Sequence, residues 1–153
     1  MQRGEYQKAR ETKDGSALSV GLVVSSFNTD ITGGMLEGAL ATLKEWGVKE
    51  DRIHVQHVPG AYELPYGCQQ LIDDKKPDAV IAIGCVIKGD TDHDRYIADA
   101  AANGLMRVML DTKTPISFGV ITTNNLEQAV IRSTGETNKG REAALAVLEL
   151  LLP

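Results

Sequence analysis

The chain contains few cysteines, few aromatic residues and no long apolar run. Two cysteines in 153 residues, Cys68 and Cys85, are too few for a disulfide framework. We interpret both as reduced, buried thiols of a cytoplasmic protein. No apolar stretch reaches the roughly 18 residues that cross a bilayer, and residues 1–15 lack the apolar segment of a secretory signal. The sequence therefore predicts no membrane partner.

Basic residues and metal-binding patterns are also scarce. Lys and Arg total 16 against 21 Asp and Glu, a net charge of −5. Nucleic-acid binding depends on cations that neutralise phosphates, so this acidic chain is predicted to bind no nucleic acid. No Cys/His set has the spacing of a zinc site. His54 and His57 lie three residues apart on a predicted strand, where side chains face opposite sides, so we predict no metal.

The length and composition are those of one globular domain. Hydrophobic residues make up 42% and charged residues 24% of the chain, and a chain of this size buries one core. Residues 1–16 are polar and carry mixed charges, which predicts an N-terminal arm. Residues 17–153 are predicted to form the single domain.

Apolar runs alternate with helical patterns throughout the domain. The predicted strands are 18–25, 52–58, 78–87 and 116–122, and the predicted helices are 31–46, 62–74, 92–110, 124–131 and 138–151. Such alternation predicts an α/β fold with a parallel sheet covered by helices on both faces. Ligands of these folds bind beyond the carboxyl ends of the strands. The segments at those ends are 27–28, 59–63, 88–93 and 122–125.

The segment GCVIKGDT, residues 84–91, has the glycine spacing of a P-loop but not its lysine. A P-loop places Lys directly after the second glycine, where this chain has Asp90. The sequence therefore disfavours a nucleotide triphosphatase. Gly89 still allows a phosphate to approach the backbone, and the helix that follows presents free N–H groups.

His93 lies in the segment Thr91-Asp92-His93-Asp94, which opens the predicted helix after this loop. Thr91 as the N-cap and Asp92 and Asp94 in the first turn are explained by helix capping alone. A cationic histidine is disfavoured at this end of a helix, so a neutral imidazole would be available for proton transfer. The capping and catalytic interpretations both remain open from the residues alone.

Two basic residues further along the chain also have two possible roles. Arg132 and Lys139 flank a short polar loop, where they act either as helix-end charges or, together with the Gly89 loop, as an anion site.

Other side chains suggest recognition of an organic ring and a polyol. Phe27, beside Asn28 after the first strand, is a candidate for stacking on a flat ring. Phe118 ends the fourth strand and is more typical of a core. Glu63 lies in an apolar segment, where a carboxylate needs hydroxyl or N–H donors.

Five motifs occur in order: SFNTDIT, VPGAYELP, AIGCVIKGDTDH, FGVITTNNLEQA and TNKGREAA. They resemble the motifs of the 6,7-dimethyl-8-ribityllumazine synthase family, over residues 18–150. The resemblance implies a flavodoxin-like, three-layer α/β/α fold with a four-stranded parallel sheet. It implies a transferase of riboflavin biosynthesis that condenses 5-amino-6-(D-ribitylamino)uracil with 3,4-dihydroxy-2-butanone 4-phosphate. The product would be 6,7-dimethyl-8-ribityllumazine, with release of phosphate and water and with no cofactor.

The resemblance also implies an assembly. The family forms homopentamers, some of which build an icosahedral shell of 60 subunits, with active sites between neighbouring subunits. The arm, residues 1–16, resembles the family's segment that adds a strand to a neighbour's sheet. A riboflavin synthase partner is a further implication.

Carried over by motif, the resemblance gives each residue a role. His93 would be the catalytic proton shuttle. The pyrimidine and the ribityl chain would be bound by Phe27, Asn28, Ala61, Tyr62, Glu63, Cys85, Val86, Ile87 and the adjacent subunit's Phe118. The phosphate would be bound by Gly89, Asp90, Thr91, Lys139 and, as the main counter-charge, Arg132.

One position departs from the family pattern. The residue after the histidine is usually aromatic in the family, whereas Asp94 and Arg95 follow His93 here. This charged pair either alters the edge of the pocket or forms a salt link.

Three other functions remain as alternatives. A lumazine- or flavin-binding shell protein would need neither His93 nor Arg132. The phosphate-site residues also disfavour an archaeal-type riboflavin synthase. Segment 26–29 matches the phosphate loop of a flavodoxin-like electron carrier poorly.

Overall fold

The computed structural model describes residues 11–153, so residues 1–10 of the predicted arm lie outside the described residues. Four parallel strands form one sheet in the order β2-β1-β3-β4. The strands are β1 Val20–Ser25, β2 Ile53–Val58, β3 Ala79–Ile87 and β4 Ile116–Thr123, and the helices are α1 Thr29–Glu45, α2 Leu64–Lys75, α3 His93–Thr112, α4 Leu126–Arg132 and α5 Lys139–Leu151. The predicted flavodoxin-like α/β fold is confirmed.

The two central strands are buried on both faces, as their continuous apolar runs predict. All six residues of β1 and eight of the nine residues of β3 are buried. Helices α1 and α5 cover one face of the sheet, and α2 and α3 cover the other, so each face has its own apolar core. This arrangement leaves β2 and β4 as the edge strands.

Helix α1 begins two residues earlier than predicted, because Asn28 turns the chain sharply after β1. Asn28 has left-handed backbone angles, φ 62° and ψ 50°. Its carbonyl accepts the N–H groups of Ile31 and Thr32, each at 3.0 Å. Gly47, with φ 85°, lies just after the helix, at the stop position that the sequence predicts.

Helix α5 packs unusually close to α1. A Cβ added to Gly140 would lie 1.9 Å from the carbonyl oxygen of Met35, so only glycine allows this approach. Asn138 caps α5 by accepting the Gly140 N–H at 2.8 Å, and its amide donates to the Gly34 carbonyl at 2.9 Å. The start of α5, including Lys139, is therefore fixed against α1.

Candidate active site

A cavity of about 440 Å³ lies beyond the carboxyl ends of β1 and β3, where the topology predicts ligand binding. The loop after β1, the turn Ala61–Glu63 and the start of α3 complete its wall. Most of the predicted substrate-binding residues line it, namely Phe27, Asn28, Ala61, Tyr62, Glu63, Cys85, Val86 and Ile87, together with Gly89, Thr91 and His93. Gly60 lines it as well.

Backbone hydrogen bonds hold the loop after β1 in place. The Phe27 N–H donates to the Pro59 carbonyl at 2.9 Å. The Asn28 amide donates to the Cys85 carbonyl at 3.2 Å, which ties this loop to the end of β3. The Phe27 ring is 73% exposed at the cavity wall. A flat ring can therefore stack on it without displacing a core residue.

The Glu63 carboxylate folds back over its own turn. The Gly60 N–H donates to Glu63 Oε2 at 2.9 Å, and the Glu63 N–H donates to the Gly60 carbonyl at 3.2 Å. This pairing explains how an acidic residue is accommodated in an apolar segment. It also fixes the carboxylate beside the cavity, where it can accept a substrate hydroxyl.

His93 is the first residue of α3 and lies exposed at the cavity. Helix α3 begins at His93 with Asp92 as its cap residue, one residue later than predicted, but the side chain that accepts the His93 N–H, at 3.3 Å, is the Thr91 hydroxyl. This bond and the helix geometry hold the backbone of His93 at the rim. Its imidazole therefore remains accessible to a ligand.

A separate groove of about 360 Å³ runs between β4 and α5 and contains the predicted cations. Phe118, Arg132 and Lys139 line it, and no described residue lines both the groove and the cavity. Arg132 Nη1 donates to the Gln128 carbonyl at 3.0 Å, and Lys139 Nζ lies 2.7 Å from a carboxylate oxygen of Glu142. Arg132 thus has the more available charge.

The two depressions have different linings, although β3 and β4 are paired side by side. Thr122 of the groove pairs with Val86 of the cavity. The cavity is lined by the carboxylates of Glu63 and Asp94 and, among the described residues, by no Lys or Arg. Asp90, a predicted phosphate ligand, lines neither depression.

Both thiols are protonated at neutral pH. Burial raises the pKa of Cys68 to about 12 and the pKa of Cys85 to about 11. The thiolate is the reactive form, so neither side chain is a nucleophile. Both cysteines are free and buried, as the sequence predicts.

The described residues also bear on metals and membranes. Within residues 11–153, no group of three His, Cys, Asp or Glu side chains is arranged to hold a metal ion. None of the helices in that range is long and apolar enough to cross a membrane.

Sequence reasoning did not assign two cavity residues, Asp94 and Ile97. Ile97 follows His93 by four residues on α3, which places both on one side of the helix. That spacing was the available signal for Ile97. The signal for Asp94 was its departure from the family pattern.

The sheet, the cavity at its carboxyl edge and the histidine at a helix start define a flavodoxin-like α/β protein with a small-molecule site. A family model described as 6,7-dimethyl-8-ribityllumazine synthase matches residues 17–152. The chain belongs to the 6,7-dimethyl-8-ribityllumazine synthase family.

Two relatives carry the same name. The protein from Phocaeicola vulgatus is 46% identical over 132 residues, which cover 86% of this chain and 79% of the relative. The protein from Bacteroides fragilis is 42% identical over 135 residues, which cover 88% of this chain and 94% of the relative.

Proposed function

We propose that this protein condenses 5-amino-6-(D-ribitylamino)uracil with 3,4-dihydroxy-2-butanone 4-phosphate to give 6,7-dimethyl-8-ribityllumazine, phosphate and water. The observation that carries this proposal is the presence of two complementary half-sites on one chain. The cavity provides a stacking ring, carboxylates and a histidine, and the groove provides cations. A polyol-bearing pyrimidine and a phosphorylated ketone need these two chemistries together.

The complete site contains two copies of the chain. A leaving phosphate needs a cation, and the cavity of one chain lacks Lys and Arg among its described lining residues. A second copy that places Arg132 and Phe118 against the cavity supplies the missing charge and closes the pocket. The contact joins two different surfaces, so it is heterologous, and it builds a ring where the rotation between successive copies closes.

Exposed apolar side chains support this self-association. Every Phe and Tyr within residues 11–153 is more than half exposed, from 52% at Phe118 to 73% at Phe27 and Tyr96. Of the 20 residues of α3, only Ala101, Leu105 and Val108 are buried. So many exposed aromatic and apolar side chains on one small domain are consistent with surfaces that neighbouring copies cover.

The ring that we propose is the family's homopentamer, and twelve such rings would form the icosahedral shell of 60 subunits. Residues 1–16 would act as the arm that adds a strand to a neighbour's sheet. Gly15, at the base of that arm, is buried and donates its N–H to the Trp46 carbonyl at 2.7 Å. The arm would therefore leave the domain from a fixed point.

The residues divide the chemistry between them. Phe27 stacks on the pyrimidine, Glu63 accepts ribityl hydroxyls, and the backbone of 85–87 binds the uracil edge. The amine attacks the ketone and loses water to form an imine, phosphate is eliminated, and a second carbonyl condensation closes the ring. His93 moves the protons, since an imidazole has one nitrogen that can accept a proton and one that can donate it.

The departing phosphate has its own binding groups. Arg132 faces it from the neighbouring subunit, with Lys139 beside Arg132. The Gly89 backbone and Thr91 contact it from the cavity side. Holding both substrates in one pocket supplies much of the remaining rate.

The cellular setting follows from the same reaction. The enzyme works in the cytoplasm, where its buried thiols stay reduced. A riboflavin synthase partner consumes its product.

The test is turnover of the purified protein with both substrates. Lumazine absorbance and phosphate release are followed together, and the two products are expected to appear in equal amounts. Stoichiometric binding of the pyrimidine with no turnover would contradict the proposal and favour a lumazine- or flavin-binding protein.

A further inference from the structure

The residue after His93 contributes a carboxylate to the cavity wall. Asp94 is half-buried on the first turn of α3, and it lines the cavity with His93 and Ile97. Arg95 is exposed and does not line the cavity.

No salt link joins this charged pair. None of the ion pairs within residues 11–153 includes Asp94 or Arg95, and neither side chain makes another electrostatic contact in that range. The hydrogen bonds in that range leave the Asp94 carboxylate without a partner as well. Asp94, a half-buried residue of the cavity lining, is therefore available to a ligand.

We propose that Asp94 is a specificity-determining residue that accepts a hydrogen from the pyrimidine substrate and keeps the phosphate out of its side of the cavity. This inference rests on the proposed function.

One carboxylate can discriminate between the two substrates, because they differ in charge and in hydrogen-bond donors. The pyrimidine substrate is uncharged and rich in donors, with an amine, ring N–H groups and ribityl hydroxyls. An ionised carboxylate has only acceptors, so it binds such a molecule and repels a phosphate. Asp94 lies in the first turn of α3, a position where acidic side chains are common because of the helix dipole.

Asp94 provides a hydrogen-bond acceptor and a negative charge in addition to those of Glu63. One oxygen of Glu63 is already bonded to the Gly60 N–H, whereas Asp94 has no described partner. With no Lys or Arg on the described lining, the two acidic groups repel anions from their own part of the cavity. The phosphate is thereby directed to the part beside the Gly89 backbone and to the neighbour's cation.

The substitution Asp94→Asn tests this role, because it removes the charge and keeps the shape. We expect the KM for the pyrimidine to rise about tenfold, since a charged acceptor is replaced by a weaker, neutral one. We expect the KM for the phosphorylated ketone to fall about twofold, since a repulsive charge is removed. A structural defect would raise both values, so the opposite signs identify a specificity role.

The matched control is Asp92→Asn. Asp92 is the exposed cap residue of the same helix, makes no side-chain capping bond and does not line the cavity. This variant removes the same charge from the same helix end, and both KM values are expected to stay near those of the unsubstituted protein.

Two kinds of failure are distinguishable. Normal turnover with unchanged KM values in Asp94→Asn, or with both values raised, would overturn the role of Asp94 and leave the proposed function intact. Absence of turnover in the unsubstituted protein would reject the proposed function. Calorimetric titration with the pyrimidine then decides the role of Asp94, since about tenfold weaker binding in Asp94→Asn supports it and equal binding overturns it.

Discussion

The cavity and the groove are built from different parts of the chain and have opposite chemistry. The cavity lies at the carboxyl ends of the two central strands and contains an aromatic ring, two carboxylates and a histidine. The groove follows edge strand β4 and the start of α5, and contains Arg132 and Lys139. One chain therefore keeps the aromatic and acidic side chains of the cavity apart from the cations of the groove.

The sheet order explains this separation. Strands β1 and β3 are central, so their ends form a pocket, whereas β4 is an edge strand with one side open. An edge strand is a surface that neighbouring chains use. We therefore expect that a substitution in the cavity or in the groove removes the contribution of that depression alone and leaves the other one folded.

The largest expected effect comes from His93→Ala in the cavity. We expect kcat to fall about a thousandfold, since general acid–base catalysis is lost, with little change in either KM. Steady-state kinetics in both substrates measures this effect. His57→Ala, a histidine outside both depressions, is the control. A raised KM with normal kcat would make His93 a binding residue.

A smaller effect is expected on the packing that supports the groove. Gly140→Ala forces a Cβ against the Met35 carbonyl, so the free energy of unfolding should fall by about 2 kcal/mol. Gly33→Ala is the matched control, because nothing lies within 4 Å of its added Cβ. That helical substitution should raise stability by about 0.5 kcal/mol. Denaturant unfolding measures both changes, and equal effects would refute the close contact.

The smallest effect is expected from Arg132→Ala in the groove. The KM for the phosphorylated ketone should rise about tenfold because a charge-assisted contact is lost, and the KM for the pyrimidine should stay unchanged. Lys44→Ala, an exposed cation on α1, is the control. An equal rise in both KM values would mean that the groove does not discriminate between the substrates.

Much of the fold could be predicted from the sequence. The apolar runs placed all four strands, and the alternation with helical patterns gave a parallel sheet. Helix starts were less certain, because they depend on local backbone geometry. Asn28 takes left-handed angles and so starts α1 two residues early, and α3 begins at His93, one residue later than predicted.

The sequence predicted which residues form the candidate site better than it predicted where they lie relative to one another. Motifs named the residues that line the cavity, because those residues follow strand ends. The distance between Gly89 and Arg132 on one chain depends on strand order and on the path of β4, which local patterns do not encode. The place of Asp94 on the cavity lining could not be predicted, because it depends on the direction of α3 relative to the cavity.

We propose above that each active site takes its cavity from one subunit and its groove from the next. Complementation tests it directly, with His93→Ala and Arg132→Ala chains assembled together in equal amounts. In a ring of such contacts, about a quarter of the sites combine an intact cavity with an intact groove.

The mixture should therefore recover about a quarter of the normal activity at a ketone concentration that nearly silences each variant alone. Activity no greater than the average of the two separate variants would contradict the claim and place both half-sites within one chain.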